Sequence, residues 1–207
     1  MELSDKQIHI IEVAESLFAQ HGYGSTSIRD ISKEANVNLA MVSYYFGSKE
    51  KLLEAIFHYR IFHSWFLVRE AMEKNELNTW ELVEVMIDSF VDRLNDKANF
   101  HALMIRQQLL GERSPMYDML MESKCKNYEM VCQLVKQGQD KGIFKENVDI
   151  ALMIVTMVGT GYQLMHSISF YSKMAKVDYA PDGKLTPELM VRLKEHLKQI
   201  LKSILIK

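Results

Sequence analysis

The polar side chains with the clearest spacing lie in the stretch NLAMVSYYFGSKEKLL, residues 38–53. At helical spacing Val42 and Phe46 point toward a core, and a second set of side chains points outward. The outward set consists of Asn38, Leu39, Ala40, Ser43 and Tyr44. Amides and hydroxyls of this kind hydrogen-bond to base edges and phosphate oxygens, and a short helix presented by its N-terminus fits the major groove of DNA. The chemistry that this face predicts is recognition, not catalysis.

Histidines and cysteines, the side chains most often used for catalysis and metal binding, are not spaced for either. His58 and His63 share a helix face poorly, and the sequence has no HExxH or CxxC motif and no glycine-rich phosphate loop after a strand. Cys125 and Cys132 would be about 10 Å apart on one helix, too far for a disulfide, so we expect free thiols in a reducing compartment. The sequence therefore predicts no enzyme, no cofactor and no metal site.

The charge balance excludes a strongly basic nucleic-acid binder. The 207 residues, 48% of them hydrophobic, carry 25 Lys+Arg against 27 Asp+Glu, a formal net charge of −2. Residues 1–50 contain four Lys+Arg and seven Asp+Glu, a local balance of −3. A small contact patch for DNA remains compatible with this balance.

Two segments bear on location in the cell. The first residues, MELSDKQIHI, lack the positive and then apolar regions of a secretory signal, which predicts a cytoplasmic protein. Residues 150–172 contain no charged side chain and are long enough to cross a bilayer. Gly159, Gly161, Gln163 and His166 dilute this run, so we expect a largely buried central helix and no membrane span.

Helix start and stop signals predict helices along the whole chain and no strand. The predicted helices cover residues 4–22, 26–35, 39–45, 48–74, 78 onward, 98–110, 114–141, 147 or 149 onward, and 186–207. The second and third of these are short and joined by a tight turn, which is the pattern of a helix-turn-helix.

The segment AESLFAQHGYGSTSIRDISKEANVNLAMVSYYFGSKEKLL, residues 14–53, resembles the DNA-binding domain of the TetR family of transcriptional regulators. The resemblance rests on an A-x-x-L-F helix end, a Gly-Tyr turn, T-S-I-R-D-I and Y-Y-F-x-S-K-E-x-L, in that order. It implies an all-α fold with a three-helix DNA-binding domain, residues 1–50, joined by a long fourth helix to a ligand-binding and dimerisation domain, residues 51–207. It also implies DNA contacts by the outward residues of the third helix and by Thr26, Ser27 and Lys49.

This sequence departs from the family pattern in its third helix. Many members have a basic residue where Leu39 stands, a glycine where Ala40 stands and a histidine in the place of one of the paired tyrosines, Tyr44 and Tyr45. An uncharged Leu39 makes no ionic contact with a phosphate and so releases no counterion from the DNA. We therefore expect modest non-specific affinity for DNA and a shallow dependence of that affinity on salt. Leu39 and Ala40 can instead contact a thymine methyl group.

The last predicted helix carries an apolar seam that suggests a second copy of the chain. Leu189, Leu193, Leu197, Ile200 and Ile204 recur at steps of three and four, and the apolar helix from Ile150 offers two glycines for close approach. Two helices from each chain would form a four-helix dimer interface, and a dimer would bind a roughly palindromic operator. The alternative is that the seam closes on its own chain.

An effector pocket is the remaining expectation, since the resemblance implies a repressor released from double-stranded DNA by a small apolar or amphipathic molecule. Methionines and aromatic residues suit such a pocket but also suit a core. The candidates that we place in it are Met104, Gln108, Tyr128, Met157, Gln163 and His166. The rival functions are an all-helical interaction module and a small-molecule carrier, each on the same fold without DNA binding.

Overall fold

The computed structural model describes residues 3–62, 66–74, 76–180 and 184–207, and they are almost entirely helical. The helices are α1 (Asp5–His21), α2 (Ile28–Glu34), α3 (Leu39–Phe46), α4 (Lys49–Phe62), α5 (Phe66–Lys74), α6 (Thr79–Asp96), α7 (Ala98–Leu110), α8 (Tyr117–Asp140), α9 (Ile150–His166), α10 (Ile168–Ala175) and α11 (Pro187–Leu205). A single antiparallel bridge between Phe144 and Ile206 is the β-type pairing of the described residues. The all-α prediction is confirmed.

Side-chain caps explain where most of the helices begin. The hydroxyl, amide or carboxylate oxygen of each capping residue accepts a hydrogen bond from a backbone amide of the first turn, which would otherwise lack a partner. The caps that the sequence predicts and the structure confirms are Ser4, Ser27, Asn38, Asn78, Asp149 and Thr186. The start of α2, left open between two residues, is thus fixed at Ser27.

Helix boundaries differ from the prediction in two places. The prediction of one helix over residues 48–74 is not tested at residues 63–65, which lie outside the described residues; α4 and α5 are the described parts on either side. The helix expected from Ser114 begins at Tyr117, after a 3-10 turn at Gly111–Arg113. The central helix ends at His166, where the Ser167 amide is shared between the carbonyls of Gln163 and Leu164, and α10 follows.

The chain packs as two compact units. The first contains residues 1–64 and 99–123, and the second contains residues 65–98 and 124–207. Residues from α7, from the turn before α8 and from the start of α8 belong to the first unit because they join the buried cluster of the N-terminal helices; they are Phe100, Leu103, Met116 and Leu120. The functional division at residue 50 stays a prediction, since packing units and functional domains need not coincide.

The core of the first unit holds the short helices in place. Phe18, Ile31, Val42 and Phe46 are buried in it, as the periodicity predicts, together with apolar residues of α4. Gly47 has a φ of 74°, a conformation that glycine adopts without steric cost, and it separates α3 from α4. Two core side chains on an eight-residue helix are enough to fix which face of α3 points outward.

The core of the second unit corrects the prediction about the last helix. The leucines of α11 that recur every four residues are buried within their own unit; they are Leu189, Leu193, Leu197, Leu201 and Leu205. The seam therefore closes on its own chain, because α6 and α9 supply the apolar surface that it covers. Asp88–Lys198 and Asp92–Lys194 ion pairs flank this packing.

The faces of α9 are divided between the core and the surface. Met153, Met157 and Gly161 are buried, and a Cβ at Gly161 would lie 2.8 Å from the Phe90 ring. The opposite face is exposed and consists of Leu152, Val155, Gly159, Gln163 and His166. In the described part of the chain, no helix has both the length and the apolarity that a membrane crossing needs.

Candidate functional site

The turn between α2 and α3 sets the direction of the recognition helix. The Val37 amide donates to the Ser32 carbonyl at 2.9 Å, and Asn36 adopts the left-handed conformation with a φ of 50°. Asparagine tolerates this conformation better than most residues. The Asn38 Oδ1 then accepts from the Ala40 amide at 2.9 Å and starts α3.

The outward face of α3 has the composition that the sequence predicts. Val42 and Phe46 are buried, whereas Asn38, Leu39, Ala40 and Ser43 are exposed. The Tyr44 side chain is 84% exposed, and its ring contacts that of Tyr45 edge to face at 5.5 Å. An exposed tyrosine hydroxyl beside a serine hydroxyl can donate to or accept from a base edge or a phosphate.

Thr26 and Ser27 have different roles despite being neighbours. Thr26 is only 3% exposed, and its hydroxyl donates to the Gly22 carbonyl at 2.9 Å. Its side chain thus closes the loop before α2 and is not presented for the DNA contact that the resemblance implies. Ser27 is exposed, and its hydroxyl donates to Asp30 at 2.6 Å.

The carboxylate of Asp30 places a negative charge in the first turn of α2. Hydrogen bonds from the Ser27 hydroxyl and then from the Ser27 amide lower the pKa of Asp30. Asp30 is therefore ionised at neutral pH. The exposed lysines and arginines of residues 1–51 are Lys6, Arg29, Lys33 and Lys51.

Lys49 is turned toward its own chain. Its Nζ donates to the Tyr23 carbonyl at 2.7 Å and to the Thr26 carbonyl at 2.9 Å. The same ammonium lies 4.3 Å from the centroid of the Tyr23 ring. Local sequence patterns contain no signal for these contacts, because the partners are more than twenty positions away along the chain.

The six predicted pocket residues are distributed over both packing units. Met104 and Gln108 belong to residues 99–123 of the first unit, whereas the other four belong to the second. Met104 is half-buried against the first core, and Met157 is buried in the second. Tyr128 is exposed. The structure does not bring the six together within one unit.

The two polar candidates on α9 lie at the surface. The Gln163 amide donates to the Ser167 hydroxyl at 2.8 Å, and a ring nitrogen of His166 hydrogen-bonds to the Tyr162 carbonyl at 2.8 Å. Gln163 lines an open groove of about 1010 Å³ between α9, α10 and α11. Gly159, Phe170, Val191 and His196 also line this groove.

Several buried polar groups were missed by the sequence analysis. Gln107, not Gln108, is the buried glutamine of α7, and its Oε1 accepts from the Ser114 hydroxyl at 2.8 Å. Its position four residues after Leu103, on the inner face of the helix, is the signal that could have identified it. Burial lowers the pKa of Arg93 on α6 to about 10, against the opposing charge of Asp92.

Tyr162 on α9 is, like Arg93, a polar group of the second unit that the sequence analysis did not identify. Burial raises the pKa of its hydroxyl, and the charge of Arg93 opposes that rise. A half-buried guanidinium and a half-buried phenol in the second unit are the kind of polar groups that orient a ligand among apolar side chains. The described residues include no group of three or more His, Cys, Asp or Glu side chains placed to hold a metal ion.

Helix α3 is short, is anchored by two core residues and exposes hydroxyl and amide groups after a tight turn. This arrangement is typical of helix-turn-helix DNA-binding proteins. Residues 10–56 match the family model described as bacterial regulatory proteins, tetR family. Residues 10–56 therefore form a DNA-binding domain of the TetR family of transcriptional regulators.

The chain is also similar to individual transcriptional regulators. The HTH-type transcriptional regulator UidR of Escherichia coli (strain K12) is 23% identical over 168 residues, 81% of this chain and 83% of the relative. The probable HTH-type transcriptional regulator YttP of Bacillus subtilis (strain 168) is 50% identical over 54 residues, 26% of each chain. The structure of the ketosteroid transcriptional regulator KstR2 of Mycobacterium tuberculosis superposes with a TM-score of 0.75 at 16% identity, covering 100% of this chain and 97% of that one.

Proposed function

We propose that this protein is a ligand-responsive repressor that binds a palindromic operator as a homodimer through the exposed face of α3. The observation that carries the proposal is the pairing of buried Val42 and Phe46 with exposed Ser43 and Tyr44 on the same helix. The buried pair fixes the orientation of the helix, so the exposed pair can meet base edges without further ordering. No enzymatic activity is part of the proposal, and binding to the chromosome places the protein in the cytoplasm.

A binding titration with DNA from the region upstream of the protein's own gene tests the proposal. The double variant Ser43→Ala with Tyr44→Ala removes exposed groups, so we expect about a tenfold or greater loss of operator affinity with the thermal midpoint unchanged. Tyr179→Ala, at an exposed tyrosine before α11, is the matched control and should bind normally. Failure of the wild-type protein to bind any sequence in a selection from random DNA would contradict the proposal and favour an interaction module or a carrier.

The same titration, repeated at several salt concentrations, tests how the affinity arises. Because α3 has no lysine or arginine, a large share of specific binding must come from uncharged contacts, including those of Leu39 and Ala40 with thymine methyl groups. We expect a shallow dependence of affinity on salt. A slope as steep as that of a protein that neutralises about 6–10 phosphates would contradict this expectation.

The exposed face of α9 supports the homodimer. Leu152 and Val155 lie about one turn apart on α9 and are exposed, and Gly159, one turn further along, carries no side chain. Val191 on α11 is a further large apolar side chain exposed in the second unit. Neighbouring apolar side chains of this size are commonly covered by another protein surface. A second copy would bury them and would supply a second recognition helix for the other half-site, about 34–36 Å away.

The proposed switch has two states of the dimer. Without effector the two recognition helices match the half-site spacing, and an effector that prefers a different separation releases the DNA. Within the second unit we propose Tyr128, Met157, Gln163 and His166 as pocket candidates and add Arg93 and Tyr162; Met104 and Gln108 belong to the first unit and are not part of this proposal. KstR2 is named a ketosteroid regulator, which agrees with an apolar or amphipathic effector here.

A thermal-shift screen tests this part of the proposal. An effector should raise the thermal midpoint, because it binds only the folded chain, and should release operator DNA in the titration above. A compound that raises the midpoint without any effect on DNA binding would instead favour a carrier function.

A further inference from the structure

We propose that His9 on α1 is a positioning residue for base recognition, because it holds the turn from which α3 begins. The inference rests on the proposed function and deepens it, since it concerns how the exposed face of α3 is presented to DNA. The imidazole Nε2 of His9 lies 3.2 Å from the carbonyl oxygen of Ala35, the residue that ends α2. Because a carbonyl oxygen only accepts hydrogen bonds, Nε2 carries the hydrogen and donates it.

The turn after α2 needs a side-chain donor at the Ala35 carbonyl. The Val37 amide donates to the Ser32 carbonyl at 2.9 Å across the left-handed residue Asn36, which is the longer bond of a Schellman motif. The Ala35 carbonyl is not used in that motif, and the end of a helix leaves such carbonyls without a partner inside the helix. His9 therefore completes the hydrogen bonding of the turn between α2 and α3.

His9 extends from a part of α1 that the core of the first unit holds in place. The next two residues along the helix, Ile10 and Ile11, are each 0% exposed. One turn earlier the Ser4 cap fixes the start of α1, and α1 packs directly on α2. The hydrogen bond from His9 thus joins the turn to a backbone that has little freedom to move.

The first turn of α3 depends on this connection more than the rest of the helix does. The core residues of α3, Val42 and Phe46, stand at its fourth and last positions, whereas Leu39 at its start is exposed. An open groove of about 420 Å³ lies between the start of α1 and the start of α3, and His9 and Asn38 are among the residues that line it. No packed core fills this side, so the direction of the first turn follows from the turn that His9 holds.

Replacing His9 by asparagine and by glutamine tests the proposal, because the two amides differ in reach. The glutamine nitrogen extends about as far from the backbone as Nε2 of histidine, and the asparagine nitrogen only about as far as Nδ1. Affinities for the operator and for a scrambled duplex of equal length are measured well below the thermal midpoint. We expect the ratio of operator to scrambled affinity to fall about threefold or more in His9→Asn and to stay within about twofold of the wild-type ratio in His9→Gln.

Affinity for the scrambled duplex should stay unchanged in both variants, because contacts with phosphate carry no base alignment. If His9 instead contacts phosphate, both affinities fall together in both variants, which would overturn the proposal. A lower thermal midpoint in His9→Asn with an unchanged affinity ratio would reduce His9 to a role in stability alone. His58→Asn, the same exchange at an exposed histidine of α4 in the first unit, is the matched control and should keep the ratio.

Double variants show which part of α3 the effect reaches. If His9 acts through the first turn, His9→Asn and Leu39→Ala remove the same contacts, and the double variant loses less of the affinity ratio than the product of the two single losses. His9→Asn and Tyr44→Ala, in the later part of α3, should combine independently. Independent effects in both pairs would contradict the proposed route.

Amide hydrogen exchange separates this inference from the proposed function, because it needs no DNA. The amides of Val37 and Ala40 are hydrogen-bonded within the turn and at the start of α3. We expect both to exchange faster in His9→Asn and to be unchanged in His9→Gln and His58→Asn. Unchanged exchange in His9→Asn would refute the role of His9 even if the wild-type protein binds its operator. Faster exchange in a protein that binds no DNA would support that role and count against the proposed function.

Discussion

The side chains of Arg60 and Glu15 form an ion pair in the interior of the first unit. Arg60 Nε lies 2.6 Å from a Glu15 oxygen, and the two side chains are 9% and 6% exposed. A second carboxylate, Glu12, lies 3.6 Å from the same guanidinium at the surface. Burial makes the pair sensitive to the loss of either member, because the remaining charge keeps its desolvation cost and loses its partner.

At this scale we predict that Arg60→Met lowers the free energy of unfolding by about 3–5 kcal/mol, since it takes the guanidinium from beside a buried carboxylate. Urea denaturation followed by circular dichroism measures the change. Arg192→Met breaks a comparable pair, Arg192–Glu188 at 3.0 Å, whose side chains are exposed, and should change stability by no more than about 1 kcal/mol. Equal effects of the two variants would contradict the assigned role of burial.

Two glycines of α9, two positions apart, show how one helix divides between a core and a surface. A Cβ at Gly161 would lie 2.8 Å from Phe90 Cε1 and 2.9 Å from Leu94 Cδ2, so α6 packs directly on this part of the backbone. A Cβ at Gly159 would meet no atom of the chain within 4 Å. The close approach that the sequence suggested for a partner chain is thus used at Gly161 by the chain itself.

For α9 we predict that replacing each of its two glycines by alanine has opposite effects on the free energy of unfolding. Gly161→Ala should lower the free energy of unfolding by about 1–2 kcal/mol, because the clash with Phe90 exceeds the gain in helix propensity. Gly159→Ala adds only the propensity gain and should raise stability by about 1 kcal/mol in the dissociated protein. Denaturation at several protein concentrations measures both. A loss in Gly159→Ala that grows with protein concentration would place a partner against that glycine.

Local patterns in the sequence were sufficient for the helix caps, the turn at Asn36 and the outward face of α3. Each depends on residues within one or two helical turns. Two other features depend on residues more than twenty positions away along the chain: the packing of α11 against α6 and α9, and the contacts of Lys49. The seam of α11 could face either a partner or its own chain, and periodicity is the same in both cases. Gln107 and Gln108 differ in helix phase, and the spacing of Gln107 four residues after Leu103 was a local signal that the choice of Gln108 overlooked.

The whole molecule presents more than one exposed apolar surface, and these surfaces offer a test of the dimer. Val155 and Val191 are 63% and 59% exposed on the face that we assign to the partner chain. Leu109 on α7 is 79% exposed in the other packing unit. Exposure is therefore not in itself a sign of an interface, and only substitution can rank the surfaces.

We predict that Val155→Asp with Val191→Asp converts the protein to monomers, because each interface would bury four uncompensated carboxylates. Sedimentation velocity measures the oligomeric state, and the DNA-binding titration measures the accompanying loss of affinity for the full operator. Leu109→Asp adds the same kind of charge at a more exposed site and should leave the dimer intact. Dissociation by Leu109→Asp alone would move the interface to the first unit.

The division of α3 into two buried and several exposed positions also bears on how such a protein changes over evolutionary time. Val42 and Phe46 carry the attachment of the helix, so exchanges at Ser43, Tyr44 or Leu39 have little effect on folding. A duplicated gene can therefore acquire a new target site by a few substitutions while its product still folds and assembles. The same separation lets an engineer transplant the exposed residues of one regulator onto the framework of another.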